Sequence, residues 1–596
     1  MNKKAGEGFR NRAPGESSGG NSLFRGLLSR RRFRVPLLLG MLLLLFYALL
    51  RLSPYGDLEA FLRRPRSVRF YDRQGRLVQI PPAEGGVRRE YRPLGEIPPE
   101  LVAVFVFAED ARFYRHPGID PVALFRALWQ NLREGRRVSG ASTITMQLAR
   151  LISPREERGW AQKIGEACNA LRLEARLTKD QILEIYLNSL PFGFQTEGVG
   201  SAARAFFASE LAMLSPAQIF SLAVIPRRPA AYNPLTRGEA NINAARELYA
   251  RFAQNRAGPL PASPPDWDFA AASARRFDYP FEMPHFVRYA AAELAREGAE
   301  TPRGRPLRNE ITLSADLTLQ HYLEDLIAAH INRYYDSRLT NGAAAVIDNG
   351  TGEILAWVGS ADFFNEEAAG QVDGVLAPNQ PGSGMKPFLY ALALEKGFMP
   401  AEVLADIPRN FGTDALYIPQ NFNNRFNGPM LFRAALASSL NIPAVYLLYR
   451  LGVENYTLFL RSLGFGFSEE DGASAGLGLA LGNTPVSIAE LVRAFSVFPR
   501  DGLLIPLSWE RRPRDSALPA ASARPVMSPD TARIICSFLS DRNARVLAFG
   551  SGRNFSTPFP AIFKTGTANQ YQNILALGAT PRYTAAVWMG NFTGET

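Results

Sequence analysis

The sequence predicts a multidomain chain with a short apolar helix near the N-terminus, a mainly α domain, and an α+β domain with an antiparallel sheet. Three observations carry this. At 596 residues the chain exceeds one hydrophobic core, and length alone points to roughly three or four domains. The run "VPLLLGMLLLLFYALL", residues 35–50, holds no charge. The apolar spacing is helical over 97–250, and paired strand signals follow from 343 onward.

Composition narrows the classes. Hydrophobic residues make up 46% and charged residues 21%, enough apolar surface to bury proper cores. The net charge of +11 is concentrated at the start: residues 1–34 carry nine lysines and arginines against Glu7 and Glu16. The rest is only mildly basic, which argues against nucleic acid as a partner. Cys168 and Cys536 are the only cysteines, too few for a disulfide framework or a structural zinc site, so both are expected as partly buried thiols.

The elements follow in order. Residues 1–34 read as a disordered basic tail. Residues 35–52 read as a transmembrane anchor: sixteen uncharged residues reach about 24 Å, and Phe33, Leu52 and the snorkelling Arg34 and Arg51 extend this towards a hydrocarbon core of about 30 Å. No Ala-x-Ala site follows, so the anchor is expected to stay uncleaved, with the tail inside and the rest outside. Residues 53–95, with "SVRFYDRQGRLVQI", suggest a small membrane-proximal hairpin. Residues 96–252 form the helical domain. "GPLPASPPDW" and "TPRGRPLRN" mark 253–325 as a linker. Residues 326–596 form the α+β domain, opening on two strands joined at Asn349-Gly-Thr-Gly352 and closing on "NILALGAT" and "RYTAAVWMGNF".

The last domain carries acyl-transfer chemistry. "PGSGMKPF" gives Ser383-Gly-Met-Lys386; such a tetrapeptide arises by chance about once or twice in a chain of this length. Three residues apart on a helix, an unprotonated lysine can reach the serine hydroxyl and take its proton. Pro387 has no N–H, so Ser383 belongs to the first helical turn. Downstream stand Ser439-Leu-Asn441 and Lys564-Thr565-Gly566-Thr567. The ordered set resembles the penicillin-recognising serine acyltransferases. That resemblance implies Ser383 as nucleophile, Lys386 as base and Ser439 as proton relay. It implies that Asn441 holds the substrate amide, that Lys564 and Thr565 bind a carboxylate, and that the N–H groups of Ser383 and Thr567 form an oxyanion hole. Gly566 is expected to lack a side chain so that substrate backbone can lie along the strand.

The helical domain concentrates carboxylates with basic company. "FAEDARFYRHPGID" holds Glu109, Asp110, Phe113 and His116. "SGASTITMQLAR" holds Ser142, Thr143, Gln147 and Arg150 and runs into a helix start able to hold phosphate. "QKIGE" holds Lys163 and Glu166, and "KDQILEIYLNSLPFG" holds Asn188. Together these segments resemble the peptidoglycan glycosyltransferases that polymerise lipid II, with a lysozyme-like, mainly α fold. With the downstream domain and anchor, the chain is identified as resembling the bifunctional class A penicillin-binding proteins, most like the 1C-type subgroup.

The resemblance implies two activities: lipid II polymerised with loss of lipid pyrophosphate, and stem peptides ending in D-Ala-D-Ala cross-linked through a serine acyl-enzyme. Glu109 would take the proton of the acceptor 4-hydroxyl, and Glu166 would support the donor side. Arg150 and Lys163 would neutralise the leaving group. Asp110, Phe113, His116, Ser142, Thr143, Gln147 and Asn188 would bind substrate. No resident metal is expected and transpeptidation needs no cofactor; a divalent cation, magnesium or manganese, is the one optional helper of glycosyl transfer. Expected partners are lipid II and nascent glycan, stem peptides, the membrane, β-lactams as inhibitors and wall-assembly proteins, at the bacterial inner membrane with catalytic domains outside.

Four departures qualify this. Gln162 stands where arginine is usual, and Met146 replaces a glutamine. Gly384 replaces a threonine, which is expected to loosen the helix start by about 1 kcal/mol. The sequence stops at "GNFTGET", where the resemblance leads one to expect a further helix, so one sheet face is expected to be bare or covered by another chain. Two alternatives follow: a monofunctional glycosyltransferase with an impaired transpeptidase domain, and a non-catalytic wall-assembly scaffold.

Overall fold

The computed structural model describes residues 31–134, 142–154, 160–255, 258, 264–300, 308–334, 336, 338–412, 417–512, 523–550, 555–567 and 572–594. The chain forms two compact units: Met1–Ser67 with Pro82–Asp278, and Val68–Pro81 with Tyr279–Thr596. Of the basic tail, residues 1–30 lie outside the described residues, and 31–34, expected as disordered, open the first helix.

The first unit is helical. Helix α1 spans Arg31–Leu52 and α2 Gly56–Leu62. Leu37 to Leu39 and Leu42 to Leu45 are largely exposed on α1. Among the described residues no single helix is long and apolar enough to cross a membrane; Leu37–Leu52 and Gly56–Leu62, bent by 49°, meet that condition as a pair. Leu37–Leu52 is thus part of a candidate span and lies within the 35–52 expected as an anchor. Arg51 donates to the carbonyl of Ala175 (2.7 Å), and Arg176 to that of Leu50 (2.5 Å), so cationic groups close the C-terminal end of α1.

Helices α3 (Pro99–Asp110), α4 (Ile144–Ile152), α5 (Trp160–Glu174), α6 (Lys179–Ser189), α7 (Pro216–Val224) and α8 (Gly238–Gln254) build the core around Leu101, Phe105, Leu148, Tyr186 and Phe220. Their starts are written in sequence. Thr178 with Gln181, and Ser215 with Gln218, close reciprocal caps on α6 and α7, and Pro216 sits at the first helical position. Edge-on ring pairs, Phe107–Phe252 at 5.3 Å and Phe220–Phe252 at 5.6 Å, lock α8 to α3 and α7.

The second unit is α+β. Strands β1 (Arg69–Tyr71) and β2 (Leu77–Gln79) form the expected hairpin, but it belongs here. Strand β1 pairs in parallel with β3 (Glu310–Thr312). Buried Asp72 explains the attachment: it accepts from the N–H groups of Gln74 and Arg76 in the hairpin turn and faces the N–H of Leu317, where a long helix begins. The expected membrane-proximal segment 53–95 is therefore divided between the two units. The expected linker 253–325 is likewise largely structured, holding α9 (Pro284–Glu300), β3 and the start of α10 (Leu317–Arg333). Its prolines punctuate an amphipathic helix, and Tyr289 of α9 stacks on Trp357 at 4.7 Å.

The main sheet uses β4 (Asn341–Asp348), β5 (Ile354–Val358), and, after a helical insertion containing β6 (Val403–Asp406) and β7 (Gly428–Leu431), β8 (Ile562–Thr567), β9 (Asn573–Ala579) and β10 (Tyr583–Gly590). The spatial order is β8-β9-β10-β4-β5, antiparallel throughout. Leu575, Leu577, Ala586, Trp588, Ala343 and Ala345 share the face packed on the helical insertion. On the opposite face α10 covers Ala344 and Val358 with Ile327 and Ile331, whereas Ile574 is 54% exposed and Ala576 is exposed on β9. Among the described residues, the exposed apolar positions named on this face lie on β9.

The edge strand β5 is finished by a side chain. Buried Gln320 on α10 accepts from the N–H of Trp357 (2.8 Å) and donates to its carbonyl (2.9 Å), standing in for a further strand. Gln320→Leu leaves both groups unpaired and is expected to destabilise this unit by about 2–4 kcal/mol, measured by urea denaturation.

Candidate active sites

Each unit carries one constellation. In the second, Gly382–Met385 form a 3-10 turn and α11 (Lys386–Glu395) follows. The cause is Pro387: lacking an N–H, it leaves the Ser383 carbonyl to the N–H of Lys386, one residue earlier than an α-helix would supply it. Ser383 is half-buried, and among the described residues its Oγ has no hydrogen-bond partner. Lys386 is fully buried; its Nζ donates to the carbonyl of Ser439 (2.7 Å) and to Oδ1 of Asn441 (2.6 Å). The expected lysine–serine hydrogen bond is therefore replaced by a clamp on the Ser439–Asn441 segment. Burial, and then the charge of Lys564, hold the Lys386 amine well below the ordinary lysine range.

Lys564 lies on the edge strand β8. Its Nζ donates to Ser439 Oγ (2.9 Å) and to the carbonyl of Thr565 (2.6 Å), and burial lowers it to about 7. Ser439 adopts φ +58°, a left-handed conformation costing about 1–2 kcal/mol, where the helix Phe432–Ala437 ends and Leu440 N–H returns to the carbonyl of Ala435 (2.9 Å). Asn441 opens α12 (Asn441–Leu451); its N–H donates to Asn421 Oδ1 (2.8 Å) and its Nδ2 to the Gln420 carbonyl (2.7 Å). Thr565 is half-buried and Thr567 exposed at the open end of β8.

Two glycines are revised. A Cβ on Gly566 would collide with the carbonyl oxygen of Pro381, so the turn bearing Ser383, and not substrate, demands a glycine there. Gly384 lies in the 3-10 turn, fully buried, where a Cβ would come to 2.9 Å from Leu575 Cδ2. The expected loosening of a helix start does not apply, because this residue packs under β9.

In the first unit, Glu109 ends α3. Its Oε1 accepts from Arg227 Nε (3.2 Å) and its Oε2 from Gln147 Nε2 (3.0 Å), while Gln147 Oε1 accepts from Tyr186 OH (3.0 Å). A second guanidinium nitrogen of Arg227 donates to the carbonyl of Ala108. Burial drives the Tyr186 hydroxyl well above its ordinary range, which keeps it a donor. Exposed Arg150 follows Gln147 by three residues on α4, and Glu166 (half-buried) follows exposed Lys163 by three on α5. Ser142 is half-buried just before the helix cap.

Five expected substrate ligands instead form the frame. Asp110 is buried, accepting from His116 Nε2 (3.0 Å) and from the N–H of Ile144 (3.1 Å), so a carboxylate of the chain already occupies the helix start expected to hold phosphate. Thr143 caps α4 and donates to the carbonyl of Gly118 (2.6 Å). Phe113 is fully buried. Asn188 clips Arg92, accepting from its N–H and donating to its carbonyl (both 2.7 Å). Arg227 and Tyr186 were not legible as site residues: Tyr186 reads as core spacing in "QILEIYLNSL", and Arg227 lies 118 residues from Glu109.

Asp110, His116 and Asp120 are the one carboxylate–imidazole group among the described residues with metal-ligand spacing. They do not fit a divalent cation. The Arg112 guanidinium and the N–H of Ala123 engage Asp120, and His116 and Ile144 engage Asp110, leaving His116 Nδ1 as the single unpartnered atom. No step is derived through a metal here.

A fold with one carboxylate site in a helical unit and one Ser/Lys site at a sheet edge defines a class with known members. The Transglycosylase family matches residues 76–253, and the Penicillin binding protein transpeptidase domain family matches 342–592. The chain thus carries both domains of the bifunctional class A penicillin-binding proteins. It is 32% identical to penicillin-binding protein 1C of Escherichia coli K12 over 85% of this chain, and spans 62% of that relative's length. It is 28% identical to penicillin-binding protein 4 of Bacillus subtilis 168, over 88% of this chain and 87% of that one. The crystal structure of penicillin-binding protein 1A from Haemophilus influenzae matches the fold with a TM-score of 0.55 at 17% identity, covering 90% of this chain and 89% of that one.

Gly566→Ala is expected to push the Ser383 turn off β8 and lower penicillin acylation at least tenfold, while lipid II polymerisation by the same preparation stays within twofold of the parent.

Proposed function

We propose that this chain polymerises lipid II into glycan strands and cross-links stem peptides at the outer surface of the bacterial inner membrane. The observation that carries the reading is the buried pair of amines, Lys386 and Lys564, meeting at Ser439, with Lys386 three residues after Ser383. Buried lysines lose protons readily, and a neutral amine is what a serine nucleophile needs.

In cross-linking, Ser383 Oγ attacks the carbonyl of the penultimate D-Ala and its proton passes to Lys386. The N–H groups of Ser383 and Thr567 receive the developing oxyanion. Ser439, held by Lys564, returns a proton to the leaving D-Ala amine, and Asn441 orients the peptide. Lys564 and Thr565 take the terminal carboxylate. The acyl-enzyme then passes to the amine of a second stem, or to water. β-Lactams acylate the same Ser383.

In polymerisation, the Glu109 carboxylate takes the proton of the acceptor 4-hydroxyl as that oxygen attacks the donor anomeric carbon. Arg150 and Lys163 offset the charge of the departing lipid pyrophosphate, and Glu166 supports the donor. Residues 35–52 anchor the chain, with the basic tail inside. Wall-assembly proteins complete the partner set, and no nucleic acid is involved.

Fluorescent penicillin is expected to label the parent and not Ser383→Ala, while Glu109→Gln keeps the label and loses polymer on a gel. A parent that polymerises without taking label would favour the monofunctional alternative. Variants complementing a deletion strain as well as the parent would favour the scaffold. The pH dependence has a definite sign. Lys564, lowered to about 7, is charged below that pH and neutral above it. Recognition of a peptide carboxylate is therefore expected to weaken as pH rises through about 7, read as a rising KM for stem peptide.

A further inference from the structure

A buried carboxylate stands behind the acyl-transfer site with no role assigned to it. Asp406 ends β6 and is fully buried. Its oxygens accept from Asn421 Nδ2 (2.8 and 2.9 Å), from the N–H of Asn427 (2.9 Å) and from Asn427 Nδ2 (2.6 Å). Those bonds, with one from Asn421 Nδ2 to the Arg425 carbonyl (2.8 Å), fix which way the Asn421 amide points. With Nδ2 so committed, Asn421 Oδ1 is turned to the backbone N–H of Asn441 (2.8 Å) and seats that residue. The Asn441 side chain, steadied by Nδ2 on the Gln420 carbonyl (2.7 Å), presents Oδ1 to the amine of Lys386 (2.6 Å). The carboxylate thus reaches the amine through the backbone seat of Asn441.

We infer that Asp406, acting with Asn421, is a positioning residue for acyl transfer: it sets the orientation of Asn441, and through Asn441 the place of the Lys386 amine beside Ser383. The inference rests on the acyl-transfer reading above. A carboxylate suits this place because it only accepts, and so holds the donor edge of Asn421 towards itself and the Oδ1 edge towards Asn441. An asparagine at 406 presents a donor edge to Asn421 or Asn427, both of which are donating. Asp406 also acts through its charge. Among the described residues the charged groups felt by Lys386 are Lys564 of β8, which disfavours the ammonium, and Asp406, which favours it.

The test is the second-order rate of acylation by fluorescent penicillin in the full chain, from pH 5 to 9, normalised to the fraction finally labelled. Asp406→Asn is expected to slow acylation at least tenfold and to move the acidic limb to lower pH, since Lys386 then stays neutral further into acid. Asp406→Asn with Asn421→Asp returns a carboxylate to the pair, one bond closer to Lys386, but sets it against the Arg425 carbonyl that accepts from Asn421 Nδ2. That double variant is expected to bring the acidic limb back to higher pH than in the single variant while acylation stays slower than in the parent. Asn427→Ala removes only support for Asp406, at a half-buried position, and is expected to slow acylation about threefold; it decides the matter if Asp406→Asn does not fold. A parent-like rate and profile in Asp406→Asn or Asn427→Ala, or a folded double variant whose acidic limb stays with that of the single variant, would overturn the inference. Labelling of Ser383→Ala would instead overturn the underlying reading, independently of Asp406.

Discussion

The acyl-transfer unit depends on one close approach of backbone to backbone. The edge strand carrying Lys564-Thr565-Gly566-Thr567 runs so near the turn Gly382–Met385 that side chains at Gly566 or Gly382 would strike the carbonyl oxygens of Pro381 and Thr567. Gly382 also sits at φ +55°, where it alone among common residues rests without strain. That approach brings Ser383 and the Lys564 strand together. Ser439, from a third segment, enters between the two lysines. Three stretches separated by long insertions become one site because two of them have given up side chains.

The glycosyl-transfer unit achieves its order differently. Here side chains hold side chains: Tyr186 orients Gln147, Gln147 and Arg227 grip Glu109, and Asp110 with His116 closes the helix start behind them. The buried frame and the exposed working groups alternate along the same motifs. Asp110 is buried next to a carboxylate that meets solvent, and exposed Arg150 lies one turn beyond half-buried Gln147.

This alternation explains what the sequence alone revealed and what it did not. The helical and α+β halves were legible from apolar spacing and turn chemistry, and the Asn349–Gly352 hairpin from four residues. Lys386, Ser439, Asn441 and Lys564 do meet, because each motif sits on a rigid element. The short motifs did not separate residues that line a cleft from residues that build it, so Asp110, Phe113, His116, Thr143 and Asn188 were read as ligands. Burial decides that, and burial depends on contacts such as Ile144 with Asp110 that no local pattern encodes. Arg227, Asn421 and Asp406 were missed for the same reason: each is one polar residue in an ordinary loop or strand end, and its partner is distant in the chain. The hairpin Val68–Pro81 was found but misassigned, since its alternation specifies a strand pair and not the strand that will complete the sheet.

That hairpin has a consequence for how the chain comes into being and how it may be cut. Arg69 and Glu310, which face each other in the parallel β1–β3 pair, are 241 residues apart. During synthesis β1 and β2 emerge early and must wait, one edge unpaired, until the whole helical unit has been made. A gene fragment beginning at Tyr279 would encode β3 without its neighbour and the first turn of α10 without Asp72. The two catalytic units are therefore not consecutive modules: the later one begins before the earlier one is complete, and an excised transpeptidase needs residues 68–81 spliced back to it.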